Sequence, residues 1–500
     1  MLTSSHKDHP RRFARVLVVS LALGACRSST VTGPASSGHP GDSEGRGTSP
    51  GAGPVTAEVA PSGADGGSVE GVPVAPLPES ATEGRALVVA GGRDQWMDAA
   101  AATAAGYTLV DLSDDWTPYI FAPQAGPDGQ PMFNRYRRIF VGLANDQLDE
   151  DGEPLPPGEK NYLELYGIFP SLSVLRARFV ADEAHACHDQ ESADAIAAVE
   201  TVTYVAPADV PKEKRRIAKI AEELDKARVA AKVETLDELA ARQPALAPKV
   251  KLIAKRAAEK PAMAAVERRL TCEGLLGGKG PAAGHHTAGV YDDAMRVAVR
   301  RFQQKHMIYE SNYLREKTVT ALARPLLDND YDGFRRALRE RVVAAATLLE
   351  DGSTKAGDLV ESFTAAAIEQ TGLTDAAAVL AFFKRHPATE FKRLRLAVKL
   401  PPRPAYYADH MDLQIVVDRG DIWYDLPFDD KGNFHYPPRK KYPTLTVYTK
   451  VGGKLTALAR WRTTIGGWRA EQASDGYEYY RYKQSDVGPR VIRQVVSGPV

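Results

Sequence analysis

Between Arg27 and Glu83 the chain is dominated by Gly, Ser, Pro, Ala and Thr and holds almost no large apolar residue. Such a stretch cannot bury enough surface to offset the entropy of ordering it, so it reads as a disordered tether. Random-coil scaling gives it a span on the order of 40 Å. Whatever folds must therefore be built from the roughly 415 residues that follow, enough for two to four domains with cores. Their supply of apolar side chains is ordinary, since hydrophobic residues make up 43% of the chain. The formal net charge is +0, which argues against nucleic acid or an anionic surface as a general partner.

Ahead of the tether stands a leader. Arg11, Arg12 and Arg15 form a positive segment, followed by the apolar run Val16 to Leu23. That run is too short for a permanent membrane span, which takes about 20 residues, and fits a signal-peptide core. Leu23-Gly24-Ala25-Cys26 closes it and resembles the lipobox of bacterial lipoproteins. The resemblance implies export by the general route and acylation of Cys26, which becomes the new N-terminus. An ordinary signal peptide with an incidental cysteine is the weaker alternative. Arg27, rather than Asp, follows the cysteine; by the sorting rule of that class this places the anchor in the inner leaflet of the outer membrane, facing the periplasm.

Beyond Cys26 only Cys187 and Cys272 remain. Two thiols in an oxidising compartment often pair, so a Cys187–Cys272 disulfide is expected. A metal site is the alternative, because His185, Cys187, His188 and Asp189 cluster. One cysteine with two close histidines lacks the paired spacing of a structural zinc site, and no metal or other cofactor is expected.

Residues 85–180 read as a small α/β lobe. Leu87-Val88-Val89-Ala90 suggests a buried strand, Gly91-Gly92 a turn, Gln95 to Ala105 a helix ended by Gly106, and Tyr107 to Val110 a second strand. Gly91-Gly92-Arg93 does not extend into a nucleotide-binding fingerprint. Asn145 to Gly152 starts like a calcium loop, but Gly158 stands where a bidentate carboxylate would be needed, so a solvated acidic turn is expected. Residues 181–262 read as helical, with Ile217, Ile220, Leu224 and Val229 at helix-face spacing. The alternating charges between them describe solvated surfaces.

Residues 263–327 carry a more specific pattern. A helix ending at Leu270 leads through Gly274-Leu275-Leu276 and a Gly-rich loop to Tyr291-Asp292-Asp293. Ala298-Val299-Arg300-Arg301-Phe302-Gln303 then lies on one helix and Thr318-Val319-Thr320-Ala321-Leu322 on the next. This resembles the small three-helix peptidoglycan-binding domain found beside many wall enzymes. Val297, Val299, Phe302, Ile308 and Leu322 can build its core, while the loops are expected to display Tyr291, Asp292 and Gln303. Aromatic and amide groups of that kind suit the faces and acetamido groups of wall sugars and the stem peptide.

Residues 328–400 form a helical connector with Phe334, Leu338, Val342, Leu348 and Leu349 on one side. Residues 401–500 turn β-rich: Leu413 to Asp418, Thr444 to Thr449, Leu455 to Trp461 and Thr463 to Ile465 alternate as antiparallel strands, and Arg490 to Val500 reads as one more. The order of parts resembles the opening of a large L,D-transpeptidase, in which a helical binding domain precedes a β-rich catalytic domain. Those enzymes use a cysteine thiolate activated by histidine in an S-H-G-C-like motif. No cysteine occurs after residue 400, and His410 and His435 lie in no such motif, so no catalytic residue can be assigned and enzymatic activity stays open.

The expectation is a multidomain α+β protein: leader 1–26, tether 27–84, α/β lobe 85–180, helical region 181–262, three-helix bundle 263–327, connector 328–400 and antiparallel β-rich region 401–500. Its expected role is a lipid-anchored protein that binds peptidoglycan, as the front part of an enzyme cross-linking stem peptides. The alternative is a non-catalytic lipoprotein that tethers the membrane to the wall or positions a partner enzyme. A periplasmic hydrolase has no supporting motif.

Overall fold

The computed structural model describes residues 84–492, apart from 91–92, 122–133, 185–188, 278–285, 312, 408–410, 423–424, 427, 430, 434–439, 474–475 and 484–486. The leader, Cys26, the tether and Cys187 lie outside the described residues. Within them the architecture is mixed α+β, with helices dominant and three small sheets. No helix among the described residues is long and apolar enough to cross a membrane.

The first sheet contains β1 (Arg85–Ala90), β2 (Arg93–Asp98), β3 (Thr108–Asp111) and β4 (Arg395–Val398), in the order β2-β1-β4-β3. β1 runs antiparallel to β2 and parallel to β4, and β3 is antiparallel to β4. Both faces of β1 are covered, which is why its sequence is apolar without alternation. Leu87 and Val89 enter the main core, while Ala86 and Val88 pack with Ala102 and Ala397 on the opposite face.

Two expectations fail here. Residues 95–98 are not the start of a helix but belong to β2, pairing Trp96 with Leu87 and Gln95 with Val88. The helix α1 is confined to Ala99–Ala104, because the Asp98 carboxylate accepts from the Ala101 amide (2.8 Å) and fixes its N-terminus there. Nor is the lobe closed by its own residues. β4 arrives from the far end of the connector, and the core is completed by α3 (Leu172–Ala184), α10 (Leu326–Ala346), α11 (Leu359–Thr371) and α12 (Ala376–Arg385). Phe334, Leu338 and Val342 recur every fourth residue and so line one face of α10. Phe383 sits edge-on to Phe179, Phe334 and Phe391 at 5.4, 6.0 and 5.8 Å between ring centres, the arrangement aromatic quadrupoles favour. Between α2 (Arg135–Ala144) and α3, Asp149 accepts from the Asp151 and Glu153 amides, making the acidic segment a tight turn.

A second core lies among α4 (Gln190–Ala197), α7 (Ala247–Cys272), α8 (Asp293–Lys305) and α9 (Glu316–Ala323). The N-terminal half of α7 also packs with α5 (Val210–Ala231) and α6 (Leu236–Arg242) around Leu224, Val233, Leu239 and Val250. Val229, expected on the inner face of α5, is 63% exposed.

The C-terminal region holds a sheet of β5 (Leu413–Asp418), β6 (Thr444–Val451) and β7 (Lys454–Arg462), all antiparallel, and a hairpin of β8 (Trp468–Gln472) and β9 (Glu478–Tyr482). Gly452 and Gly453 join β6 to β7 with φ of 56° and 81°, the left-handed pair a two-residue hairpin requires. Thr463 to Ile465 is a connection rather than a strand, and 490–492 form none. The β7 side is tied to the body: the Trp461 indole donates to Asp351 (2.6 Å) and Thr354 donates to the Ala457 carbonyl (2.8 Å). All six residues of β5 are exposed.

Candidate functional site

The bundle's amphipathic helices bury Ala298, Val299, Phe302 and Leu322 completely or nearly so, with Ile308 at its edge. Val297 is only partly buried. Of the three residues singled out from sequence, Tyr291 and Asp292 stand at the N-terminus of α8 and Gln303 near its C-terminus.

Their placement differs from expectation: all three are inside. Tyr291 is 5% exposed, Asp292 5% and Gln303 2%. Asp292 is the N-cap of α8, accepting from the Met295 amide (3.0 Å) and from the Thr287 amide (2.7 Å). His286 Nδ1 lies 3.0 Å from both of its oxygens. Burial pushes this carboxyl up, but those hydrogen bonds outweigh it and hold the group below its ordinary value. The Gln303 amide donates to the Ser311 and Tyr313 carbonyls (3.1 and 3.2 Å) and to the Thr318 hydroxyl (2.8 Å). Burial pushes the Tyr291 phenol up.

Asp292 and Gln303 therefore shape the loops. Because the Gln303 amide closes three hydrogen bonds in a dry site, Gln303→Leu leaves two carbonyls and a hydroxyl short of a donor. The expected loss is about 1–3 kcal/mol of stability, read by urea titration.

Two residues that no sequence pattern singles out pack against Tyr291. Tyr204 lies in the extended stretch between α4 and α5, and Tyr313 precedes α9. With Tyr291 they form a cluster with ring centres 5.6 to 6.4 Å apart. No spacing in the sequence links the three.

A second constellation lies where α8 ends. The Lys305 ammonium is 3.2 Å from Glu273, 3.4 Å from Asp330 and 3.6 Å from Asp182. Arg269 also pairs with Glu273 and donates to the Arg324 carbonyl (2.8 Å). Burial lowers the His306 imidazole to about 4, so it is neutral at physiological pH. Burial raises the Asp330 carboxyl up to about 7, and donation from its protonated form to Asp182 adds to the shift. Perturbed groups of this kind mark both active sites and structural ion networks. Here the members come from the ends of α7 (Arg269, Glu273) and α8 (Lys305, His306) and from α3 (Asp182) and α10 (Asp330), so the cluster joins four helices. Gln304 and Tyr309 extend the join by donating to the Tyr166 hydroxyl and the Leu165 carbonyl, both at 3.2 Å.

Cys272 ends α7 and is disulfide-bonded; its partner lies outside the described residues, as do Cys187 and the lipidation residue Cys26. No group of three metal-ligating side chains converges among the described residues. No family model, curated protein or solved structure matches the chain.

Proposed function

We propose that the protein is a lipid-anchored envelope component that binds peptidoglycan through the α7–α8–α9 bundle. The observation that carries this reading is the bundle itself. The stretch resembling a wall-binding domain folds as three helices around Leu270, Met295, Phe302, Val319 and Leu322, with Tyr313 ahead of α9 lying against Tyr291 ahead of α8. Acylation of Cys26 would hold the protein at the membrane, and the tether would give it reach to the wall.

The C-terminal sheet is the start of a larger β domain, as in an L,D-transpeptidase. Supporting this is β5, which offers Leu413, Ile415, Val416 and Val417 at 45–50% exposure along an edge that no strand pairs with among the described residues. Such an edge is an aggregation hazard unless something pairs with it.

Sedimentation of the full chain, carrying Cys26→Ser to keep it free of acyl chains, with purified insoluble peptidoglycan tests the wall-binding claim. Wild-type protein is expected in the pellet in proportion to the wall added. Recovery in the supernatant at every wall concentration would remove the claim.

A further inference from the structure

The tyrosine cluster is built unlike an ordinary fragment of core. Tyr291 is buried, and Tyr204 and Tyr313 flank it half-buried. The rings come from three separate stretches, and buried polar groups fix each stretch. The Val202 amide donates to the Leu314 carbonyl (3.1 Å), strapping the Tyr204 segment across the loop before α9. One residue on, the Thr203 amide and hydroxyl donate to Glu259 (2.9 and 2.8 Å), itself held by Arg256 (2.8 Å). Gln303 clamps the loop carrying Tyr313, and Asp292 the loop carrying Tyr291. The ring positions are thus set before any ligand arrives, which lowers the ordering cost of binding.

The chemistry of the surface is specific in two respects. The hydroxyls of Tyr204 and Tyr313 hydrogen-bond to no described residue and are not sealed from solvent. Arg296 pairs with Asp293 (2.9 Å) and Arg256 with Glu213 (2.8 Å). An uncharged aromatic surface edged by free hydroxyls suits an uncharged polyhydroxylated ring, whose C–H face packs on an aromatic ring while its hydroxyls and acetamide exchange hydrogen bonds.

We infer that Tyr204 and Tyr313, seated on Tyr291, contact the sugar rings of the glycan strand, and that Asp292 and Gln303 position them without touching it. Tyr204 stands outside the three-helix unit, so the strap between α4 and α5 is part of the binding surface. This inference rests on the wall-binding reading above.

The test uses the full chain with Cys26→Ser and two pellets, intact peptidoglycan and peptidoglycan stripped of stem peptides by an amidase. Binding to both is expected, and Tyr204→Leu/Tyr313→Leu should weaken it about ten-fold, the size expected for losing two ring contacts. Tyr119→Leu, at a 92% exposed tyrosine of the other lobe, should leave it unchanged. Wild-type affinity in the double variant overturns the inference and leaves wall binding standing. No wild-type sedimentation overturns the wall-binding reading, and the inference with it. Because the leucine pair could loosen the loops, tyrosine acetylation by N-acetylimidazole, read by peptide mass, gives a second measure on unaltered side chains. Soluble peptide-free glycan should protect Tyr204 and Tyr313 but not Tyr119; equal labelling with and without glycan overturns the inference.

Discussion

Lys305→Met is expected to lower the unfolding free energy by about 3–5 kcal/mol at neutral pH, the cost of removing one partner from a buried ion cluster. Methionine matches the stem of lysine in length, so the change isolates the ammonium. Burial disfavours the Lys305 charge, yet Asp330, Glu273 and Asp182 outweigh that and raise its pKa. Glu273, buried completely, is held ionised against its own burial by Lys305, His306 and Arg269. Without Lys305 these carboxyls face one another in a dry site. The penalty should shrink as pH falls, because protonation removes the unpaired charge.

Asp330 gives the converse sign. Its folded pKa, about 7, lies above its unfolded value of 3.8, so its contribution is favourable in acid and is lost as pH rises from about 4 to about 7. Asp330→Asn should therefore be more stable than the parent at pH 8 and match it near pH 4. Urea midpoints of the three proteins at both pH values decide the matter. A Lys305→Met loss below about 1 kcal/mol, within the range of exposed ion pairs, would show that the cluster does not hold the lobe to the bundle.

What was legible in the sequence follows the range of the interactions involved. The run Leu87 to Ala90 marked a buried strand because burial on both faces demands continuous apolar residues. Its neighbours were not legible. β4 pairs Leu396 with Leu87 across some three hundred residues, and no local pattern announces such a partner. Residues 95–98 read as helix because alanines follow them, although Asp98 just before those alanines was an available N-cap signal.

In the bundle, helical periodicity placed Phe302 correctly. It misjudged Gln303, since an amide beside the core can be satisfied by backbone carbonyls and so need not reach solvent. Tyr204 was invisible because its role depends on a strap hydrogen bond to Leu314. The Lys305 cluster was invisible for the same reason, its members being scattered between residues 182 and 330.

Breaking a Cys187–Cys272 bridge is expected to cost about 4 kcal/mol in the chain-entropy model, because the closed loop takes in α4 through α7. Local packing brings the two segments together. Asp189 caps α4 by accepting from the Ser192 amide (2.7 Å), and the Ser192 hydroxyl accepts from Arg268 (2.7 Å), one helical turn before Cys272. Cys187 stands two residues ahead of Asp189. Cys187→Ser and Cys272→Ser should destabilise equally, and the double variant no further, since either change opens the same loop. With Cys26 replaced, alkylation of the unreduced, unfolded chain should label no thiol, and two after reduction. Label on Cys187 before reduction would rule the pair out. The result also bears on export: such a bridge persists only in an oxidising compartment. Protein made without its leader in a reducing cytosol should then show the lower stability of the serine variants and regain the difference on oxidation.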